Sequence, residues 1–309
     1  MKKLSIYELN SLYRESMNII GYQFGSGEKS VCIIGSMRGN EVQQLFSCSK
    51  LIQRLKILEE QNLIKEGKSI LVIPCVNSYS MNIGKRFWPT DNTDINRMFP
   101  GYSEGETTQR IAAGVFDIIK NYKIGIQFAS NYMSGRFLPH IRMMHTGFED
   151  IETAKKFEFP YVLTKNTRPF DTTTLNYNWQ IWESKAFSVY TTDTDEINAI
   201  SALDAVRGIE RLLNAEGITD SIISCGYHYN SQILDDNNLK SVRCVEAGIY
   251  ENKVSVGDEV HKGQLLAEIT DPYEGNVVEQ LIAPQDGIIF FQHKSPLIYA
   301  STAAIKLVV

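Results

Sequence analysis

The chain has 309 residues, 43% of them hydrophobic and 22% charged, with a formal net charge of −5. At this length ordinary globular proportions provide a sizeable core and room for one large and one small domain. The acidic balance gives no electrostatic footing for nucleic acid or an anionic membrane, and neither is expected as a partner.

Five cysteines (Cys32, Cys48, Cys75, Cys225 and Cys244) show no CxxC spacing and leave an odd one, so reduced core cysteines are expected. Met1-Lys2-Lys3 runs into a mixed polar stretch rather than a signal-type apolar region, and no long apolar segment follows. The expected location is cytoplasmic.

Residues 31–35, Val-Cys-Ile-Ile-Gly, predict a buried parallel strand. The strand runs into Ser36-Met37-Arg38-Gly39-Asn40-Glu41, a polar turn at the kind of strand end where α/β folds place their sites. From Glu41 to about Gln61, Val42, Leu45, Phe46, Leu51, Ile52, Leu55 and Leu58 recur at helical spacing. Residues 69–76 predict the next strand. The stretch 77–106 lacks periodicity and is rich in Asn, Asp, Gly and Pro, which predicts a long functional loop. A helix at 106–121, strands at 124–129 and 186–191, and an amphipathic helix at 197–214 stopped by Gly217 complete the pattern. This alternation predicts a mixed, mainly parallel sheet flanked by helices, in an α/β domain spanning 1–235.

After Asp235-Asp236-Asn237-Asn238, a plausible linker, the texture changes. Residues 240–309 read as a small all-β, barrel-like domain, with turn signals at Val256-Gly257-Asp258 and Gln285-Asp286-Gly287.

Asp94-Ile95-Asn96-Arg97-Met98-Phe99-Pro100-Gly101 is the sharpest signal in the chain. It resembles the Asp-Leu-Asn-Arg-x-Phe-Pro-Gly segment of the succinylglutamate desuccinylase/aspartoacylase family, a branch of the zinc carboxypeptidases. The resemblance spans about 31–309 and implies a carboxypeptidase-like fold with a C-terminal β-domain akin to a biotinyl/lipoyl barrel. No hairpin tip carries the modifiable lysine of a carrier, so that domain is expected to shape the mouth of the site or an interface.

The family's zinc-binding turn is His-Gly-(Asn/Asp)-Glu, and here Arg38 stands at the His position with Glu41 at the Glu position. The third ligand, a distal His, aligns with Ala129, and Gln127 replaces the Asp that precedes it. The general-base Glu aligns with Tyr190, a phenol ill-suited to proton abstraction at neutral pH. A guanidinium offers no lone pair to a metal. No metal or cofactor is therefore expected, and the positive charge of Arg38 is expected to pair with Glu41. The alternative is that Arg38 points to solvent.

The resemblance also implies that Arg86, Asn96 and Arg97 bind the substrate's carboxylate, which a planar guanidinium meets bidentately. The alternative is that Arg97 pairs internally with Asp94 or Glu41. Asp193 and Asp195 are expected to cap the helix near Ile197. His140 and His145 are expected to be structural or pocket-lining, with metal ligation as the alternative; the family has a similar Pro-His-x-Arg stretch outside its ligand set. His228, His261 and His293 are isolated. The aromatic and amide-rich stretch 168–182 suits either a pocket wall or an ordered lid, and 130–136 is expected to line the old cleft.

Three functions follow from this pattern. One is a zinc-free pseudoenzyme subunit, as a homo-oligomer or beside an intact paralogue. Another is a binder of carboxylate-bearing small molecules. The alternative is an active deacylase of N-acyl amino acids with rearranged ligands, in which case zinc is the implied cofactor.

Overall fold

The computed structural model describes all residues except 11–14, 132, 222–225 and 227. Cys225 and Tyr132 thus lie outside the described residues. Cys32, Cys48, Cys75 and Cys244 are free thiols, buried or half-buried. Among the described residues no helix is long and apolar enough to cross a membrane.

The chain opens with an antiparallel pair, β1 (Lys2–Leu9) and β2 (Met17–Gly25). The sequence gives little sign of β1, because this edge strand buries Ile6 alone among mostly exposed side chains. Next come β3 (Glu28–Ser36), α1 (Val42–Glu60), β4 (Lys68–Cys75) and a short α2 (Ser78–Asn82) inside the expected long loop. The loop also holds a 3-10 turn at Ile95–Arg97, and α3 (Thr107–Ile119) follows.

Then come β5 (Ile124–Ala129), β6 (Gly135–Phe137), β7 (His140–His145), α4 (Ile151–Lys155), β8 (Tyr161–Asn166) and α5 (Leu175–Ile181). After these, β9 (Lys185–Tyr190), α6 (Ala199–Ala215) and β10 (Gln232–Asp235) end the α/β part.

Among the described residues the large sheet has nine strands in the order β1-β2-β4-β3-β5-β9-β7-β8-β10. β4, β3, β5 and β9 run parallel to one another, and β7 is antiparallel to β9. The central strands read as continuous apolar runs because both faces are covered. Val31, Ile33, Ile70, Val72 and Ile126 face α1 and α6 through Leu51, Leu55, Leu58, Ile209 and Leu213. Their alternates Cys32, Ile34, Leu71 and Ile73 face α3 and α5 through Ile111, Val115 and Trp179. Gly125 is obligatory here, since a Cβ on it would lie 2.4 Å from the Trp179 indole.

The remaining strands are β11 (Leu239–Arg243), β12 (Gly248–Asn252), β13 (Glu259–Val260), β14 (Leu265–Thr270), β15 (Val277–Ile282), β16 (Gly287–His293), β17 (Leu297–Ile298) and β18 (Ala303–Val308). They form two antiparallel sheets, ordered β11-β18-β16-β13 and β15-β14-β12-β17. β6 leaves its neighbours in the chain to pair with β16, Phe137 opposite Phe291. An aromatic cluster of Phe137, Tyr161, Tyr190, Phe290 and Phe291 fills the space between the large sheet and these strands.

Candidate functional site

The turn after β3 is tight. A Cβ on Gly39 would lie 2.0 Å from the Lys85 carbonyl oxygen, so only glycine lets the turn sit against the 78–86 segment. Glu41 occupies the N-cap position of α1 but makes no capping bond. Its carboxylate turns back instead: Oε2 accepts from the backbone N–H of Met37 at 2.7 Å and of Arg38 at 2.9 Å. Oε1 accepts from Arg38 Nη1 at 2.9 Å and from the Ser130 hydroxyl. The helix forgoes its cap, worth about 1 kcal/mol, to hold this carboxylate at the strand end.

Arg38 does not reach solvent; it is 8% exposed. Besides Glu41 it grips Asp94, with Nε 3.0 Å from both carboxylate oxygens and Nη2 2.8 Å from Oδ2. Burial alone would lower its pKa, but Glu41 and Asp94 raise it instead, so the group is permanently cationic. Asp94 also accepts from the Asn96 backbone N–H at 3.0 Å, which joins this ion cluster to the 94–101 segment.

Strand register brings the remaining aligned positions together. Gln127 pairs with Ser188 and Ala129 with Tyr190 across β5 and β9. Tyr190 in turn pairs with His140 across β9 and β7. Their side chains share one sheet face and line a cleft of about 1040 Å³, closed on its far side by residues of β16 and β18 such as Phe290 and Lys306. Tyr190 is buried, its ring stacked on His140 at 4.5 Å with the Arg142 guanidinium 4.5 Å from its centroid. Burial pushes the phenol's pKa up, against the pull of Arg142 and Arg38, making it a still weaker base. Burial also pushes His140 down to about 3, with Arg142 and Lys306 adding to the shift and the Leu138 carbonyl opposing it.

Of the residues aligned with carboxylate binding, Asn96 and Arg97 line the cleft. Asn96 Oδ1 accepts from Gln127 Nε2 at 3.3 Å. Arg97 pairs not with Asp94 or Glu41 but with Asp171, 3.3 Å away, and donates to the Phe170 carbonyl. Arg38 already holds Asp94 and Glu41, so Arg97 turns to the next acid. Arg86 sits nearer the turn, donating to Asn40 Oδ1 at 2.9 Å and to the Asn131 carbonyl at 3.0 Å.

The expected caps of α6 are overturned: Asn198 caps it through Ser201, while Asp193 pairs with Arg136 at 3.0 Å and Lys294 at 3.6 Å. The basic neighbours claim the acid, and the amide is better placed one residue before the helix. His140 and His145 share β7, and their odd spacing puts them on opposite faces, one buried and one exposed. They cannot ligate one ion together. The 168–182 stretch divides: Arg168, Phe170 and Asp171 line the cleft, whereas Trp179 is fully buried.

Arg142, Lys165, Arg243 and Lys306, none of which the motifs single out, also line the cleft. The signal was a lone cation within an apolar strand, as in Ile141-Arg142-Met143-Met144 and Ile305-Lys306-Leu307.

A catalytic zinc, which the resemblance implies, does not fit these residues. Such a site takes three N, O or S ligands and leaves one position open. Glu41's roughly four lone-pair directions meet Met37, Arg38 twice and Ser130. The Arg38 guanidinium lies between Glu41 and Asp94, and position 129 offers a methyl group.

The chain matches the family described as "Succinylglutamate desuccinylase/Aspartoacylase catalytic domain" over residues 27–189. It is similar to N-alpha-acetyl-L-2,4-diaminobutyric acid deacetylase of Halomonas elongata, 23% identical over 274 residues, covering 83% of this chain and 75% of that protein. A similar solved structure is the product-bound ectoine utilization protein EutE (DoeB) from Ruegeria pomeroyi, at TM-score 0.79 and 18% identity, covering 95% of this chain and 89% of that one. Another is a succinylglutamate desuccinylase/aspartoacylase from Rhodobacter sphaeroides, at TM-score 0.81 and 18% identity, covering 99% and 94%. At such identities the two structures establish a shared fold.

Proposed function

We propose, from the premise that this chain belongs to the succinylglutamate desuccinylase/aspartoacylase family, that it binds carboxylate-bearing small molecules in its cleft without zinc-dependent hydrolysis. The single observation that carries this reading is the Arg38 guanidinium bonded to both Glu41 and Asp94. Zinc works by acidifying a bound water and polarising the scissile carbonyl. A fixed cation with saturated acids around it supplies neither a ligand nor a base. Asn96 and Arg97 then serve recognition: a ligand carboxylate competes with Asp171 for the Arg97 fork. Residues 240–309 act as a β-domain that closes the cleft mouth rather than as a carrier. A regulatory place in a homo-oligomer, or beside an intact paralogue, is compatible with this role.

A second reading is favoured by the name of the Halomonas elongata relative, a deacetylase. In it the protein deacylates an N-acyl amino acid with rearranged groups, the Ser130 hydroxyl on Glu41 being the nearest candidate nucleophile. Metal analysis of the purified protein, with an amide-hydrolysis assay on N-acetyl-2,4-diaminobutyrate, decides between them. The first reading expects no stoichiometric zinc, no turnover, and thermal stabilisation by N-acyl amino acids. Equimolar zinc with turnover overturns it.

A further inference from the structure

Helix α5 carries three carboxamides, Asn176, Asn178 and Gln180, each no more than 2% exposed. A carboxamide accepts through its oxygen and donates twice through its nitrogen, and buried ones rarely go unbonded. Asn178 donates to the carbonyls of Phe99, Thr172 and Thr174 at 2.9 to 3.1 Å. Gln180 closes on both main-chain groups of Met144, accepting from its N–H at 3.0 Å and donating to its carbonyl at 2.9 Å. Asn176 does nothing of the kind: its Oδ1 and Nδ2 are both buried, and neither has a hydrogen-bond partner among the described residues.

Leu175 and Trp179 are fully buried and fix α5 on the large sheet. Asn176 lies one helical turn before Gln180, on the same helix face, and lines the cleft together with Met144. Gln127 and Ser188, paired across β5 and β9, add further uncharged polar groups to that cleft. Asn176 gives nothing to the fold through its polar atoms. A buried carboxamide without bonds is unfavourable, and leucine, of nearly the same size, would carry no such penalty. Its polarity serves only a molecule that enters the cleft.

The chemistry of that molecule follows from the two free atoms. Oδ1 calls for a donor and Nδ2 for an acceptor, side by side. A carboxylate has acceptors alone and an ammonium donors alone, so each would leave one atom unmet. A trans N-acyl amide holds its N–H and C=O on opposite sides and meets one of the two. A primary carboxamide or a ureido group presents N–H and C=O on one edge and meets both, in a pair of parallel bonds.

We propose that Asn176 recognises a terminal carboxamide or ureido group, so that the cleft takes a monocarboxylate whose other end is an uncharged amide. The proposal rests on the reading of the cleft as a carboxylate-binding site but not on whether hydrolysis survives.

The test is calorimetry and thermal denaturation of the full chain with succinamate, glutaramate and 3-ureidopropionate, against the monomethyl esters of succinate and glutarate at matched ionic strength. Each ester keeps the charge and carbonyl of its amide and lacks the N–H. An amide or the ureido acid is expected to bind about tenfold or more tightly than the esters, and to raise the melting temperature where they do not. Whichever of the three binds most tightly identifies the group and its distance from the carboxylate. Asn176→Leu and Asn176→Ala are expected to bring amide and ester to within about twofold of each other. Asn176→Leu should melt no lower than the parent without ligand, because it breaks no bond, which separates lost recognition from lost folding. The proposal falls if neither amide nor ureido acid outdoes the esters or if either variant keeps the preference. It falls equally if Asn176→Leu melts below the parent, the mark of a carboxamide whose bonds hold the fold. Parity of amide and ester with N-acyl amino acids still bound leaves the proposed function standing; zinc with turnover removes that function and leaves the amide preference.

Discussion

Arg38 and Asp94, 56 residues apart, meet through both nitrogens of one guanidinium edge and both oxygens of one carboxylate, at 2.8 to 3.0 Å. The contact ties the turn after β3 to the 94–101 segment in a place where Arg38 and Glu41 are buried. Arg38→Ala would leave Glu41 and Asp94 without their shared cation, and removing one partner of a buried pair costs about 3–5 kcal/mol. Urea unfolding should show that loss. Arg38→Lys should recover part of it, because an ammonium cannot form the two-pronged contact.

Arg38→His with Ala129→His should create a zinc site around Glu41, where the proposed reading expects none in the parent. The first change frees Glu41 Oε1 from the guanidinium, and the second replaces a methyl group on the same cleft face. Zinc titration by calorimetry is the measurement. A double variant that takes up no zinc would show that position 129 is not the third vertex.

His140 makes stability depend on pH. Its folded pKa is held near 3 against an ordinary 6.5. Below 6.5 the unfolded chain takes up a proton that the folded chain refuses, so stability falls as pH drops from 6.5 towards 3. The slope approaches about 1.4 kcal/mol per pH unit. His140→Phe keeps a ring against Tyr190 and should remove this slope. Comparing denaturation midpoints of the two proteins between pH 6 and 5, above most carboxylate titrations, isolates the effect.

Gly125→Ala should destabilise by about 1–3 kcal/mol, since the added methyl collides with the Trp179 indole. Combining it with Trp179→Leu should cost less than the sum of the two changes, because they share one contact. Thermal denaturation of the single and double variants measures the difference.

What could be read in the sequence follows chain distance and periodicity. The strand at 31–35 and the helix from Val42 are legible because apolar residues there repeat over many positions. The Arg38–Glu41 pair is legible because three residues of a turn bring the two side chains together. Asp94 as the second partner of Arg38 is not, nor is Asp171 as the partner of Arg97, since tertiary packing alone joins them. β1 is obscured by its exposed edge position. The cationic wall is hidden for another reason: Arg142, Lys165 and Lys306 lie on three strands, and only register and sheet-on-sheet closure bring them into one space.

The pairing of β6 with β16 makes the last part of the polypeptide scaffold rather than appendage. Phe137 packs on Phe291 at 4.7 Å between ring centroids, in a strand of three residues whose one strand partner among the described residues is β16. Truncation after Asn238 would bare that edge together with a sheet of aromatic rings, the kind of sticky surface that drives self-association. The shorter fragment should therefore be recovered in aggregates rather than as a trimmed, well-behaved core.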